Sequence, residues 1–205
     1  MIAIVDYGMG NLSSVQKAFR FLKIPAKITS DPKQVARARA IVLPGVGAFG
    51  EAMSELRKRK LVEPVRGAVR SGKPFLGICL GLQLLFESSE ESSGVKGLAV
   101  LPGRVKRFSA KRSLKIPQMG WNQIENARGQ DRLLKGIPEG AFFYFVHGYV
   151  AVPAKRGQVS AWTTYGEKFP SIVSNGANVW ATQFHPEKSQ RWGLKLLRNF
   201  GEIAR

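Results

Sequence analysis

The single cysteine and one of the two histidines of this chain stand in sequences that suit catalysis. Cys79 lies in Gly-Ile-Cys-Leu-Gly at residues 77–81, where a short apolar run gives way to a helical pattern. A nucleophile on such a strand-to-helix turn projects clear of the sheet, and the glycines let neighbouring backbone pass closely. The start of a helix also favours a thiolate. The alternative is a small buried thiol beside packing glycines.

A cysteine nucleophile needs a base, and His185 can supply it. This histidine stands at the end of a predicted strand in Gln-Phe-His-Pro-Glu, so that Glu187 follows it after a single proline. A carboxylate this near can hydrogen-bond the imidazole, fix its tautomer and stabilise the imidazolium. A histidine at a strand end can equally be an ordinary surface or packing residue. The other histidine is His147.

Two glycines around Val46 form the third candidate element. The sequence Pro-Gly-Val-Gly at residues 44–47 follows a predicted strand at residues 40–43. Two glycines permit a backbone that points N–H groups into a cleft, as an oxyanion hole requires. Any strand-to-loop turn could look like this. Because neighbouring parallel strands end at the same edge of a sheet, however, we expect this turn to lie near Cys79.

The elements that must position these residues alternate between strand and helix in the first half of the chain. Apolar runs predict strands, and apolar residues spaced by three and four predict helices. On these criteria the strands are predicted at Ile2–Val5, 40–43 and 74–79. A helix is predicted at 12–22, and a helical region, interrupted near Pro64, runs to residue 70. This alternation predicts a parallel sheet with helices on both faces.

The second half of the chain changes to strands joined by turns. Predicted strands lie at residues 98–101, 105–108, 141–146, 172–173 and 179–184, and a final helix at Gln190–Ile203. Asn175-Gly176 is a strong hairpin motif before the last strand. We therefore expect an α/β fold of flavodoxin-like type, with a mostly parallel central sheet, flanking helices and an antiparallel extension.

Length and composition limit the classes of protein. A chain of 205 residues, 44% of them hydrophobic, suits one well-buried core, so residues 1–205 are predicted to be one domain. No stretch of eighteen apolar residues predicts a membrane span. The first residues lack the pattern of a secretory signal, and a lone cysteine cannot form an internal disulfide. We expect a soluble protein of the reducing cytoplasm.

The charge balance is strongly positive: 32 Lys and Arg against 14 Asp and Glu give a formal charge of +18. Basic residues cluster at 57–60, expected to be a solvated helix face, and at 104–115, expected to be a loop that could contact an acidic surface. Neither cluster carries a zinc-finger spacing or the aromatic RNA-binding motif, so we expect no nucleic-acid partner.

Taken together, the motifs resemble the class I, or triad, glutamine amidotransferases. The similar segments are GICLGLQ, HPE and PGVG. Within that superfamily, further segments resemble the glutaminase subunits of imidazole glycerol phosphate synthase: DYGMGNL, PGVGAFG, LPGRVKRF, IPQMGWN, FYFVHGY and QFHPEKSQ. The resemblance runs from the first predicted strand to the last helix.

The resemblance implies a glutaminase whose product, ammonia, passes to a partner. Cys79 would attack the side-chain amide of L-glutamine to give a glutamyl thioester, with His185 shuttling protons and Glu187 orienting it. The oxyanion would be held by N–H groups of Leu80 and of Val46 or Gly47. Residues implied in glutamine binding are Gly45, Gln83, His147, Gly148 and Tyr149. Neither a metal nor a cofactor is implied.

The implied partner is a cyclase (β/α)8-barrel subunit, bound as a heterodimer, which uses the ammonia to make imidazole glycerol phosphate and an aminoimidazole carboxamide ribonucleotide in histidine biosynthesis. Residues implied to face this barrel are Tyr7, Asn11, Met119, Trp121, Asn122 and Lys188. Core packing is the alternative for Trp121.

Two positions depart from the family pattern: Gly148 replaces the usual serine or threonine, and Gln118 replaces the usual histidine. The alternatives for the whole chain are the glutaminase subunit of another amidotransferase, of anthranilate or pyridoxal phosphate synthase type, a free-standing cysteine hydrolase, or a non-catalytic basic binding module.

Overall fold

The computed structural model describes residues 1–108, 114–126 and 131–205. Within them the strands are β1 (Ile2–Val5), β2 (Ala26–Thr29), β3 (Ala40–Gly45), β4 (Phe75–Cys79), β5 (Ser88–Ser89), β6 (Gly103–Arg107), β7 (Gln118–Gln123), β8 (Glu125–Asn126), β9 (Phe142–His147), β10 (Tyr149–Pro153), β11 (Val159–Tyr165), β12 (Glu167–Ser174) and β13 (Val179–Thr182). The α-helices of the same residues are α1 (Leu12–Phe21), α2 (Pro32–Arg37), α3 (Phe49–Lys58), α4 (Val62–Arg70), α5 (Leu80–Gln83) and α6 (Gln190–Ile203).

A central sheet organises the described part of the chain, with the strand order β2-β1-β3-β4-β13-β12-β11-β8. The first five strands of this order are parallel, and β12, β11 and β8 continue the sheet in antiparallel fashion. The predicted α/β architecture, with its parallel sheet and antiparallel extension, is therefore confirmed.

Both faces of the sheet are covered, which explains the unbroken apolar runs of its central strands. In β1, Ile2 and Ile4 belong to the core on one face with Phe200 of α6, whereas Ala3 and Val5 belong to the core on the other face, with residues of α3 and α4 such as Leu56. A strand buried on both faces needs apolar residues at every position rather than at alternate ones.

A two-stranded ribbon formed by β7 and β9 lies beside the central sheet. The strands are antiparallel, and Gln118 pairs with His147 at one end. In β9 buried and less buried positions alternate, so that Phe143, Phe145 and His147 point inward. The ribbon thus has one face in the protein core and one face toward the surface, where Met119 lies.

Most of the predicted elements are confirmed, and the differences have local causes. Residues 98–101 form no strand, because the N–H groups of Leu98 and Val100 donate to carbonyls of Leu84 and Leu85, just after α5. The helical break lies at residues 59–61, and Pro64 lies in the first turn of α4, where a helix does not need its missing N–H. The sequence did not predict the short β2 and α2, or the strands β5, β7, β8, β10 and β11.

The first basic cluster, residues 57–60, is exposed at the end of α3, and Lys58 and Arg59 pair with Glu55. The prediction of a solvated face is confirmed. The second cluster was expected to be a loop, but its residues 104–107 lie in β6, where Lys106 pairs with Glu167. Residues 109–113 lie outside the described residues. In the part of the chain that is described, no helix combines the length and apolarity needed to cross a membrane.

Candidate active site

Cys79 ends β4 in a strained turn that leads directly into α5. Its φ of 54° and ψ of −107° are rare for a residue with a side chain. A Cβ at Gly77 would lie 2.7 Å from the Gly81 carbonyl oxygen, and a Cβ at Gly81 would lie 1.8 Å from that of Leu43. Both positions therefore require glycine, and the predicted sharp turn is confirmed. Because α5 is a single turn, its dipole adds less than a long helix would.

The side chains of His185 and Glu187 form a buried pair just beyond β13. Nδ1 of His185 lies 2.8 Å from Oε1 of Glu187, on a 3-10 turn over Pro186–Lys188. The backbone N–H of His185 donates to the Tyr144 carbonyl, and its carbonyl accepts a hydrogen bond from Ser189 Oγ at 2.6 Å. These contacts fix the position of the ring.

The electrostatics of His185 favour the imidazolium. Burial alone would lower its pKa, but hydrogen bonds with Cys79 and Glu187, together with the negative charges of both, raise the pKa of His185 above its usual range. A histidine with a raised pKa is a stronger base, so the ring of His185 can accept a proton from the neighbouring thiol. His185 is therefore placed to act as the base for the Cys79 sulfur.

A cavity of about 200 Å³ opens onto this cysteine and histidine. Its walls include the predicted oxyanion residues Val46, Gly47 and Leu80. The predicted glutamine-binding residues Gln83, His147, Gly148 and Tyr149 also line it. Sequence reasoning thus selected residues that the fold brings together from four separate segments.

Gly45 differs from this group, because it is buried and does not line the cavity. It pairs with Cys79 on the neighbouring strand, and a Cβ there would lie 2.1 Å from Tyr7 Oη and 3.0 Å from Leu80 Cβ. The prediction that Gly45 contacts substrate is not supported; its glycine permits close packing behind the nucleophile turn. The register does place the end of β3 beside Cys79, as expected.

Glu91 lines the cavity and was missed from the sequence. Its Oε2 accepts the Phe49 N–H at 2.7 Å, and Ser92 Oγ accepts the Gly50 N–H at 3.0 Å, so this loop caps α3. The helix begins just after Gly47, and the cap therefore anchors the candidate oxyanion turn. Residues 88–94 look like an ordinary polar loop, and no local spacing in them indicates this contact.

His147 is a buried neutral imidazole rather than a second base. Burial, helped by the nearby charge of His185 and opposed by the hydrogen bond to the Tyr149 carbonyl, lowers the pKa of His147 to about 4. Its Nδ1 donates to that carbonyl at 2.9 Å, which leaves Nε2 as an acceptor. The structure places Oε1 of Gln118 3.0 Å from Nε2, and two acceptors cannot share a hydrogen bond, so we assign the amide the other way round, with its NH2 group toward the ring. Glutamine at position 118 serves as a buried partner for His147.

The predicted partner-facing residues separate into exposed and buried ones. Met119 and Trp121 are 66% and 46% exposed, and Asn11 and Lys188 are also exposed. The exposure of Trp121 argues against plain core packing, although its ring contacts Tyr144. That Asn11, Met119, Trp121 and Lys188 form one partner-binding surface stays a prediction.

Asn122 is half-buried, and its side-chain amide donates to the Thr164 carbonyl at 3.0 Å. Tyr7 is fully buried, so the prediction that its side chain contacts a partner is wrong in this structure. The Tyr7 ring follows β1 into the core beside the nucleophile turn. Burial, and secondly the charge of Cys79, raise the pKa of Tyr7, so the hydroxyl stays neutral.

A wider surface cleft of about 620 Å³ lies next to the exposed ribbon, between Trp121, Phe142 and Trp192. Apart from surface Arg191 and Glu139 its lining residues carry no ionisable group, and no nucleophile–base pair lies there. The smaller cavity at Cys79 is therefore the site with the chemistry.

Comparison with known proteins agrees with this site. The family described as glutamine amidotransferase class-I matches residues 3–203. The imidazole glycerol phosphate synthase subunit HisH of Desulfitobacterium hafniense (strain DSM 10664 / DCB-2) is 51% identical over 98% of this chain and 94% of its own length. The HisH subunit of Moorella thermoacetica is 51% identical over 100% of this chain and 95% of its own length.

Solved structures show the same fold at low identity. A glutamine amidotransferase crystal structure superposes with a TM-score of 0.77 at 23% identity, covering 100% of this chain and 99% of that one. The glutaminase domain of Trypanosoma brucei CTPS with bound acivicin gives a TM-score of 0.70 at 17% identity, covering 98% and 93%. The chain belongs to the class-I glutamine amidotransferase family, and within it to the imidazole glycerol phosphate synthase HisH subunits.

Proposed function

We propose that this chain is the glutaminase subunit of imidazole glycerol phosphate synthase and that Cys79, His185 and Glu187 are its catalytic triad, in one domain spanning residues 1–205. The observation that carries the proposal is the meeting of the strained Cys79 turn with the buried His185–Glu187 pair at one cavity. The identity to HisH subunits supports the choice of this enzyme among the amidotransferases.

The reaction follows from the positions of these groups. His185 takes the thiol proton, and the Cys79 sulfur attacks the side-chain amide carbon of glutamine. The tetrahedral intermediate collapses when its C–N bond breaks, and the leaving nitrogen takes the proton from His185 to depart as ammonia. His185 then deprotonates a water molecule, whose oxygen attacks the thioester carbon; the C–S bond breaks, and the departing sulfur takes the proton back from His185. The products are glutamate and the free thiol.

The negative oxygen of each tetrahedral intermediate needs hydrogen-bond donors. Leu80 opens α5, so its N–H is among the groups that a helix leaves without an internal partner. Val46 and Gly47 line the same cavity, and the φ of 96° at Gly47 is one that glycine adopts easily. We assign the oxyanion hole to N–H groups of these residues.

Glutamine also carries an ammonium and a carboxylate that the site must recognise. Glu91 is the carboxylate in the cavity wall, and its Oε2 already accepts the Phe49 N–H. A carboxylate fixed in this way offers its remaining acceptor capacity to a substrate ammonium. We assign Glu91 to that role, with Gln83 and the segment His147 to Tyr149 as the adjacent walls.

Ammonia is proposed to pass to a cyclase (β/α)8-barrel subunit bound as a heterodimer in the cytoplasm. The exposed Asn11, Met119, Trp121 and Lys188 are the proposed contacts, with Asn122 at their margin. The formal charge of +18 suits an acidic partner surface. Trp121→Ala is expected to weaken the complex, and raising the salt concentration should weaken it further. An affinity unchanged by both would contradict this surface.

The function is tested by reconstitution with the barrel subunit and its ribonucleotide substrate. The wild-type complex should form imidazole glycerol phosphate from glutamine or from added ammonium salt. Cys79→Ala should abolish the glutamine-dependent reaction and keep the ammonium-dependent one, which controls for complex formation. Equal glutamine-dependent rates in the two complexes would refute the proposal.

A further inference from the structure

Gln183 is a fully buried residue beside the nucleophile and is not a member of the proposed triad. It follows β13, two residues before His185, and its backbone N–H donates to the Ser171 carbonyl. Its side-chain Nε2 lies 4.0 Å from the Cys79 sulfur, and its Oε1 lies 3.3 Å from Nε2 of Gln83. The side chain therefore bridges the nucleophile and a residue of the cavity wall.

The direction of the hydrogen bonds in this bridge is fixed by chemistry. The Tyr149 carbonyl can only accept, so Gln83, whose Nε2 lies 3.2 Å away, must present its NH2 group there. The same NH2 group donates its other hydrogen to the Gln183 oxygen. The Gln183 amide must then turn its own NH2 group toward the Cys79 sulfur. An amide turned the other way would bring two NH2 groups together.

This arrangement also fixes the orientation of Gln83. Both hydrogens of its NH2 group are used, whereas among the described residues no donor hydrogen-bonds its oxygen. Because Gln83 lines the cavity, that oxygen is the part of the amide available to a donor on the substrate. Loss of the Gln183 bridge would leave only the contact with the Tyr149 carbonyl to orient the Gln83 amide.

The second contact, to the Cys79 sulfur, bears on the charge of the nucleophile. A hydrogen bond from an uncharged N–H favours the thiolate over the thiol, and an amide donates equally at every pH. Hydrogen bonds to catalytic groups are often long in the free enzyme and shorten as charge develops. The distance of 4.0 Å suits such a contact.

We propose that Gln183 is a positioning residue of the glutaminase reaction, which holds the Cys79 sulfur with its NH2 group and the Gln83 amide with its oxygen. The inference rests on the proposed function for its kinetic test. Its chemical test uses only the reactivity of the single thiol of the chain.

The test compares Gln183→Met, which removes both hydrogen bonds at similar volume, with Gln183→Glu, which keeps the shape and the acceptor but replaces the NH2 group. Gln158→Met is the matched control, because Gln158 is also buried and its Oε1 accepts a backbone N–H, from Lys155, away from the cavity. Iodoacetamide alkylation of the full chain is followed by mass against pH. Glutaminase kcat and KM are measured in the complex with the barrel subunit.

For Gln183→Met we expect alkylation at neutral pH to slow about tenfold, which is the factor expected for losing one hydrogen bond to a charged group. The pH profile of alkylation should also be displaced to higher pH. Its KM for glutamine should also rise several-fold. Gln183→Glu should slow alkylation at least as much, since its carboxylate repels the thiolate. Gln158→Met should keep both the wild-type profile and kinetics.

The inference is overturned if both Gln183 variants keep the wild-type alkylation profile, whether or not KM changes. If Gln183→Met fails to fold, the profile of Gln183→Glu decides. A wild-type complex without glutaminase activity would instead refute the proposed function, and the alkylation comparison would still judge the contact between Gln183 and the sulfur.

Discussion

Substituting Gly47 by alanine should separate the proposed oxyanion turn from the stability of the fold. Gly47 has a φ of 96°, which costs a residue with a Cβ about 1–2 kcal/mol. The new Cβ would lie 2.7 Å from Met9 Cε, the flexible end of a side chain that can move aside. Alanine also lowers the conformational entropy of the unfolded chain, which offsets about 0.4–1 kcal/mol of this strain energy. The net loss of unfolding free energy should be about 1 kcal/mol.

The expected loss of turnover is much larger than this loss of stability. A peptide that rotates to relieve the strain at residue 47 removes an N–H donor from the cavity, and losing one oxyanion donor costs about 100–1000-fold in kcat. The assay is glutamine turnover at saturating glutamine in the complex, with ammonium-dependent synthesis as a check on the partner. Unfolding by denaturant gives the stability.

Gly72→Ala is the matched control for this variant. Gly72 also has a positive φ, 78°, and nothing lies within 4 Å of the position of its added Cβ. It follows α4, away from the cavity, so we expect a similar loss of stability and an unchanged kcat. If Gly47→Ala turns over glutamine as fast as Gly72→Ala, the assignment of the oxyanion hole to this turn is wrong.

Three further predictions concern the pair, the buried imidazole and the turn. Glu187→Gln should lower kcat about 100–10,000-fold and bring the pKa of His185 down, because the imidazolium loses its carboxylate; an unchanged pH profile of turnover would contradict this role. Because the pKa of His147 is lowered in the folded state, its contribution to stability is fully present above pH ~6.5. About 3 kcal/mol of unfolding free energy should be lost as the pH falls to 4. Denaturant titration should show that His147→Gln lacks this part of the acid destabilisation. Gly81→Ala should lower the unfolding free energy by more than about 3 kcal/mol or prevent folding, because its Cβ would lie 1.8 Å from a backbone oxygen. Gly67→Ala, in open space on α4, should instead raise the unfolding free energy by about 0.5–1 kcal/mol. Thermal unfolding compares the two variants.

The fold was largely predictable because its central strands are buried on both faces. Such strands read as unbroken apolar runs, and β1 and α6 have the bounds that the sequence predicted. The strand predicted at residues 98–101 was wrong because its apolar residues, such as Leu98 and Leu101, are buried in irregular backbone bonded to the residues after α5. Apolar runs predict burial, whereas the partner of the backbone N–H decides whether a strand forms.

The site was predictable where chemistry needs a local motif. The glycines around Cys79 and the short spacing from His185 to Glu187 are local requirements, and both appear in the sequence. Gln183 and Glu91 act across the fold, through contacts that span 104 and 42 residues, and nothing beside them in the chain indicates their partners. Tyr7 shows the reverse error, because a residue in a turn motif was assigned to the surface while its ring is buried.

The central claim is that Cys79 is the nucleophile that attacks glutamine, and covalent trapping tests it most directly. The complex is treated with a glutamine-mimicking electrophile, and the intact mass of this chain is measured with and without competing glutamine. We predict one adduct, on the peptide that contains Cys79, slowed by glutamine and absent from Cys79→Ser. An unmodified Cys79 in an active complex, or an adduct on another residue, would contradict the account.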